Sequence, residues 1–416
     1  MTMTVLAILA ALIFFYSLLS HRLERTILTG PMIFTVAGIL LYFAMPDQFG
    51  EPLKVKPILH LMEIALAVVL FTDGTRIKIA ELIGIATLPG RLLVIGMPLI
   101  ILVGSITAAL VFTDLSIWEA AILGAILAPT DAGLGHAVMS SKRVPARIRQ
   151  ALNVEAGLND GLAIPFLMLF IALARVNQPL TDSSWIVYLF QEVGLGILFG
   201  LLFGWIGGWL MGQANKRKWM SAGMQQLALL ALAILAWVVI DFSPGNGFIG
   251  VFLAGLMIKN GYESAGEQMV EISEVWGQLL NLFVFAVFGT LTGPFLGNFG
   301  ALAALYALLS LTIVRLLPVS ISLIRARLHR STVLFMGWFG PRGLASIVLG
   351  LIFLKEEANL AGESLIQFAI VVTVLLSVFA HGISAAPSID LYAKQVKRMD
   401  SDAPERQDVA KMLVRH

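Results

Sequence analysis

The sequence predicts an all-α polytopic membrane protein with about thirteen transmembrane helices. Three observations predict it. Apolar runs of about 20 residues, the length a helix needs to cross a bilayer, recur from end to end. The composition is 58% hydrophobic and 13% charged, with a mean hydropathy of +0.88, outside the range of soluble globular domains. The basic residues alternate from loop to loop, as they do in a chain threaded back and forth through a membrane.

Taken in order, helices are expected near 4–20, 27–46, 57–74, 91–112, 116–140, 149–174, 185–213, 221–241, 246–260, 271–292, 297–324, 331–354 and 364–386. The stretch from Arg76 to Leu88 is less apolar and is expected at the interface. With the amino terminus outside, only four of the 28 lysines and arginines fall in outside loops: Lys54, Lys56, Arg175 and Lys355. Arg315 and Arg342 fall within spans, and the rest lie inside, including those of the polar tail from about Pro387. A missed span would scramble this pattern. The first run has no basic segment before it and no small-residue cleavage site, so it reads as a helix and not as a signal peptide. There are no cysteines, which excludes disulfides and thiol-ligated metals. A net charge of +2 argues against a nucleic-acid partner.

Two spans are interrupted. The fifth breaks at Ala128-Pro129-Thr130-Asp131, and 331–354 breaks at Gly337-Trp338-Phe339-Gly340-Pro341-Arg342-Gly343. If the seventh span is a central linker, these are the fifth members of two six-helix halves, the arrangement of inverted repeats. Pro129 removes a backbone donor, so the helix opens there and frees carbonyls that can coordinate a cation, with the Thr130 hydroxyl as a further oxygen. The alternative is a proline kink satisfied by its neighbours. Asp131 either joins such a site or caps the broken helix.

The sixth span carries Glu155, Asn159 and Asp160 in an otherwise apolar run. Acids inside a bilayer cost about 2.5–3.5 kcal/mol each on insertion scales, so they mark function by default. Asp160 is the leading candidate, flanked by the small residues Ala156, Gly157, Gly161 and Ala163. Asn159 is either a ligand through its amide oxygen or one end of an interhelical hydrogen bond. Glu155 points away from Asp160 and needs a partner; Arg342, in the other broken helix, is the expected one. Asp73, at the end of the third span, is either an outer-shell acid or an interface residue beside Arg76. Glu63 lies deeper, and nothing in the sequence pairs it. A lone His136 after the break reads as hydrogen-bonded filler before it reads as a pH sensor.

Three motifs then resemble the monovalent cation/proton antiporter family 1, the sodium/proton exchangers. They are Ala-Pro-Thr-Asp at 128–131, Val-Pro-Ala-Arg-Ile-Arg at 144–149 followed by Glu155 and Asn159-Asp160, and Gly-Pro-Arg-Gly at 340–343. The resemblance extends to about residue 386. It implies two crossed discontinuous helices, a homodimer, and elevator-like exchange of Na⁺ or Li⁺, sometimes K⁺, for H⁺. It implies ligand roles for Thr130 and Asp160, supporting roles for Asn159 and Asp131, a Glu155–Arg342 ion pair, and Asp73 near the mouth of the ion path. It also implies a division into scaffold helices at 1–90 and 214–292, core helices at 91–175 and 293–386, a linker at 176–213 and a cytoplasmic tail at 387–416. No cofactor is expected beyond the transported ions, and no partner beyond lipids and a second copy. The cell inner membrane is the expected location. Many members have Ser one residue after the Glu; here it is Ala156, which removes a hydroxyl ligand. The rival readings are a cation channel or a ligand-gated potassium efflux system, and an intramembrane enzyme. The tail is too short for the nucleotide-binding domain such efflux systems usually carry. An enzyme would need a nucleophile or zinc spacing that is not present.

Overall fold

The computed structural model describes residues 3–23, 26–46, 56–76, 88–175, 187, 190–262, 265–297, 300–356, 360–400 and 403–406. Among these the chain is helical almost throughout and has no strand. We number the helices α1 (Met3–Leu23), α2 (Gly30–Ala44), α3 (Lys56–Arg76), α4 (Leu88–Val111), α5 (Ile117–Ile126), α6 (Ala132–Ser140) and α7 (Ala146–Arg175). There follow α8 (Gly196–Lys216), α9 (Ala222–Asp241), α10 (Gly247–Ile258), α11 (Ala265–Thr292), α12 (Ala301–Leu311), α13 (Ile313–Ser322), α14 (Arg330–Trp338), α15 (Leu344–Lys355) and α16 (Glu363–Lys397). Each expected span falls on one helix or on a pair of them. Among the described residues, six stretches are long and apolar enough to cross a membrane by length and composition: Leu88–Val111, Ala146–Arg175, Val193–Lys216, Gly223–Asp241, Ala301–Ser322 and Glu363–Lys397. Most of the 76–88 interface stretch lies outside the described residues.

Local chemistry sets several helix starts. Ser116 and Glu119 form a reciprocal capping box at α5, and Glu119 also accepts from the Gly362 amide at 2.7 Å, joining the start of α16 to it. Asn246 caps α10 through the amides of Phe248 and Ile249. One close helix contact is a glycine stripe. At Gly196, Gly200, Gly204, Gly208 and Gly212 of α8, an added Cβ would strike backbone carbonyls of α10 and its flanking residues. Four-residue spacing puts these glycines on one face and lets two backbones touch.

One expected boundary is corrected. The last helix does not stop near 386 but runs through Pro387 to Lys397. Proline inside a helix costs about 3 kcal/mol. Packing offsets that here: Ile389 and Tyr392 are buried, and the Tyr392 ring stacks on Phe335 at 4.2 Å. The expected 297–324 span is also two helices, parted at Thr312 (φ −110°, ψ −88°). Contacts are densest within two sets. Helices α2 and α3 pack with α9, α10 and α11, and α8 packs on α10; α4 packs on α5, α5 on α7, and α12 on α16.

Candidate ion-binding site at the crossing of two broken helices

The first interruption lies between α5 and α6, the second between α14 and α15. A cut helix leaves carbonyls at one end and amides at the other, and within a membrane none of them can turn to bulk water. Here the two interruptions close one another. The Asp131 amide donates to the Pro341 carbonyl at 2.8 Å. The Asp131 carboxylate caps two helices at once. Its Oδ1 accepts from the Gly133 amide at 2.6 Å and the Leu134 amide at 3.2 Å, and its Oδ2 accepts from the Leu344 amide at 2.6 Å. A negative charge at two helix N-termini is favourable on dipole grounds. A Cβ at Gly343 would fall on that carboxylate, so only glycine permits this approach.

The carbonyl ends are closed by one arginine and one histidine. Arg342 Nη1 donates to the Ala128 carbonyl at 2.6 Å and the Pro129 carbonyl at 3.0 Å. The Arg342 amide donates to Ser377 Oγ at 2.7 Å. Ser377 Oγ lies 3.2 Å from His381 Nδ1, and His381 Nε2 donates to the Trp338 carbonyl, at the end of α14, at 2.9 Å. Neither Ser377 nor His381 was picked out by the sequence reading. An intramembrane histidine four residues after a serine was the available signal.

Helix α7 crosses this point. Asn159 Nδ2 donates to Thr130 Oγ1 at 2.7 Å, while Asn159 Oδ1 is buried without a hydrogen-bond partner. Both expected roles of Asn159 are therefore open to it at once: its nitrogen makes the interhelical bond and its oxygen is left for a ligand. Asp160 follows directly and is buried, as are Thr130 and Asp131. Gly161 faces the Phe252 ring of α10, with no room for a Cβ. The structure thus joins Thr130 to Asn159, with Asp131 and Asp160 next to them in sequence.

Two expectations are corrected. Glu155 does not pair with Arg342. It makes a two-pronged pair with Arg315 on α13, Nη1 to Oε1 at 2.5 Å and Nη2 to Oε2 at 2.8 Å, all fully buried. Arg342 is occupied by the cut end of α5, and an arginine bonded to two carbonyls there has no reason to leave them. For the same reason the carbonyls of Ala128 and Pro129 are not free for a cation, as the proline break suggested. Asp131 is found as a cap, with both oxygens accepting amides. Glu63 has a partner that sequence did not suggest: Lys355 Nζ lies 3.0 Å from its Oε1. His136 is exposed on α6, and the Asp73 side chain lies outside the described residues.

Two interrupted helices meeting at a buried charged centre are the architecture of secondary transporters, whose sites lie where broken helices face one another. The transmembrane sodium/hydrogen exchanger profile matches residues 3–390, and the chain belongs to that family. It is 26% identical over 387 residues to the K⁺/H⁺ antiporter NhaP2 of Shewanella sp. (strain ANA-3), covering 91% of this chain and 64% of that protein. It is 27% identical over 404 residues to the K⁺/H⁺ antiporter NhaP of Alkalimonas amylolytica, covering 93% and 66%. It is 25% identical over 293 residues to the Na⁺/H⁺ antiporter NhaP of Pseudomonas aeruginosa, covering 66% of each. The chain spans about two thirds of the length of these relatives. Its fold is similar to that of the sodium proton antiporter MjNhaP1 from Methanocaldococcus jannaschii, with a TM-score of 0.74 over 94% of this chain and 98% of that one, at 20% identity.

Proposed function

We propose that this protein is a secondary active antiporter, not an enzyme, that exchanges a monovalent cation for a proton across the cell inner membrane. The observation that carries this reading is the Asn159–Thr130 bond, which fixes α7 against the break directly beside Asp160. Thr130 Oγ1, Asn159 Oδ1 and the Asp160 carboxylate are hard oxygen donors suited to Na⁺, Li⁺ or K⁺. The cation and the proton compete for Asp160, with Asp131 holding the break in shape. The names of relatives speak for both K⁺ and Na⁺, so the ion is open between them.

Charge counting supports one-for-one, electroneutral exchange. The central motif is Asn159-Asp160 and not two adjacent aspartates, so it offers one titratable carboxylate. Bound cation or proton neutralises it; empty, it resists passage through the apolar barrier, which couples the two fluxes. The two densely packed helix sets serve as a scaffold and a core that slides on it in an elevator-like cycle, with α8 as linker. The amino terminus lies outside, the tail is cytoplasmic, and the protein works as a homodimer.

The test is exchange in proteoliposomes with a pH-sensitive dye and a panel of Na⁺, Li⁺ and K⁺. Wild type should move protons against at least one cation, and Asp160→Asn should fall to the level of empty liposomes. Cation flux without proton movement would instead indicate a channel.

A further inference from the structure

We propose that Glu63 and Lys355 form an outer latch that holds the protein in the state seen here, closed to the outside and open to the cytoplasm. The inference rests on the elevator reading above and names the contact that must break in each cycle.

Glu63 sits on α3, which packs with α9, α10 and α11; Lys355 ends α15, the half-helix that leads out from the crossing. Their contact at 3.0 Å therefore joins the scaffold set to the core set. Basic-residue bias puts Lys355 on the outer side. Burial around the crossing is asymmetric. On that side, α5 is buried at every position from Glu119 to Ile126, and α15 from Ala345 to Phe353. On the cytoplasmic side, α6 exposes Ala132, Gly133, His136 and Ala137, the first two immediately beside Asp131. The crossing is therefore covered by protein more completely on the outer side than on the cytoplasmic side, and the pair lies on the more covered side.

The chemistry of the pair suits a latch. Glu63 is 3% exposed, and its second oxygen, Oε2, is buried with no hydrogen-bond partner. Lys355 is its one ion-pair partner among the described residues and is 40% exposed at its side chain, so water reaches one end of the contact only. Moving the core away from α3 strands a carboxylate in an apolar interface until water follows it. A cavity of about 230 Å³ already lies beside the pair, lined by Met168, Gln191, Asn246, Ile352 and Lys355 among others. It is the place where an outward cleft would widen.

The chain has no cysteine, so a single introduced thiol reports position without background. Ile352 is buried, three residues before Lys355, and lines that cavity. In right-side-out vesicles, Ile352→Cys should react slowly with a membrane-impermeant maleimide. Glu63→Gln in that background should speed labelling at least about fivefold, as a shift of population toward the outward state requires. Lys355→Gln, at a half-exposed helix end where misfolding is not at issue, should do the same, and Lys355→Arg should keep labelling slow. Unchanged labelling in both Gln variants overturns the latch. Exchange by the wild type is measured in parallel. If it exchanges while labelling ignores both Gln variants, the latch fails alone. If labelling responds but no cation is exchanged, the latch stands and the antiport reading falls.

Discussion

At the scale of single residues, the crossing is held by groups that each serve two ends. Asp131 caps α6 and α15, and Arg342 bonds two carbonyls of the cut α5. Glu155 and Arg315 are different: they serve only each other. Breaking a buried pair costs about 3–5 kcal/mol because the remaining charge is stranded, whereas an apolar pair of similar size is often tolerated. Glu155→Gln should therefore lower the melting temperature in detergent, and Glu155→Leu combined with Arg315→Met should recover part of the loss. A single variant as stable as wild type would show that the pair is not needed to hold α13 on α7. For Thr130, the Ser variant keeps the oxygen and should transport normally. Thr130→Val removes the hydroxyl proposed as a ligand and the bond from Asn159, so KM for the cation should rise about 10-fold, as loss of roughly 1.4 kcal/mol implies. An unchanged KM in Val would reduce Thr130 to a packing role. Thr130, Asn159 and Asp160 announce themselves as polar groups in apolar runs. The choice between Arg315 and Arg342 as partner to Glu155 does not, because both lie within spans and only the rotation of α13 after the Thr312 break decides which one faces α7.

At the scale of elements, the tail is bound to the broken helix. Beyond α16, Glu405 is buried and accepts from the His329 amide at 2.7 Å and the Thr332 hydroxyl at 3.0 Å, at the start of α14. Tyr392 donates to the same Thr332 oxygen at 3.0 Å, and Arg147 at the start of α7 donates to the Pro404 carbonyl at 2.8 Å. Glu405→Ala leaves a buried amide and hydroxyl without their acceptor, a loss of about 1–3 kcal/mol. The expected result is faster cleavage after Lys397 in limited proteolysis and a lower melting temperature; equal cleavage rates would mean the tail is not fastened there. The polar composition after Pro387 concealed this, since propensity and a proline both argue for an end to the helix. The aromatic stack of Tyr392 on Phe335 overrides them. The glycine stripe of α8 was written plainly in the sequence at four-residue spacing, and its reading needed only the knowledge of which helix lies opposite. The order of the helices was legible because bilayer thickness and loop charge constrain it independently of any long-range contact.

At the scale of the whole molecule, electroneutral exchange makes a clear electrical prediction. A potential acts at about 2.3 kcal/mol per charge per 100 mV. If each half-cycle carries the same charge, a potassium–valinomycin diffusion potential should leave both rate and end point of Na⁺ or Li⁺ exchange unchanged. A shift with potential would mean that a second group, with Asp131 the first candidate, also changes its protonation in the cycle.

The glycine stripe has a mechanical consequence. Where side chains separate two helices, each can rock by changing rotamers, and motion in one is partly absorbed before it reaches the other. Between α8 and α10 there is nothing to absorb it, because peptide meets peptide at five successive levels. Helix α8 is thus welded along its length to its neighbour, and in the elevator cycle proposed above it would move with the fixed frame, like a hinge post. Flexure should concentrate at its ends, in the turn beyond Lys216 and in the π-helical stretch Phe190–Leu195 before Gly196. Gly204→Leu would prise the post from the frame. Deuterium uptake should then rise along the whole of α8, not at the mutated turn alone.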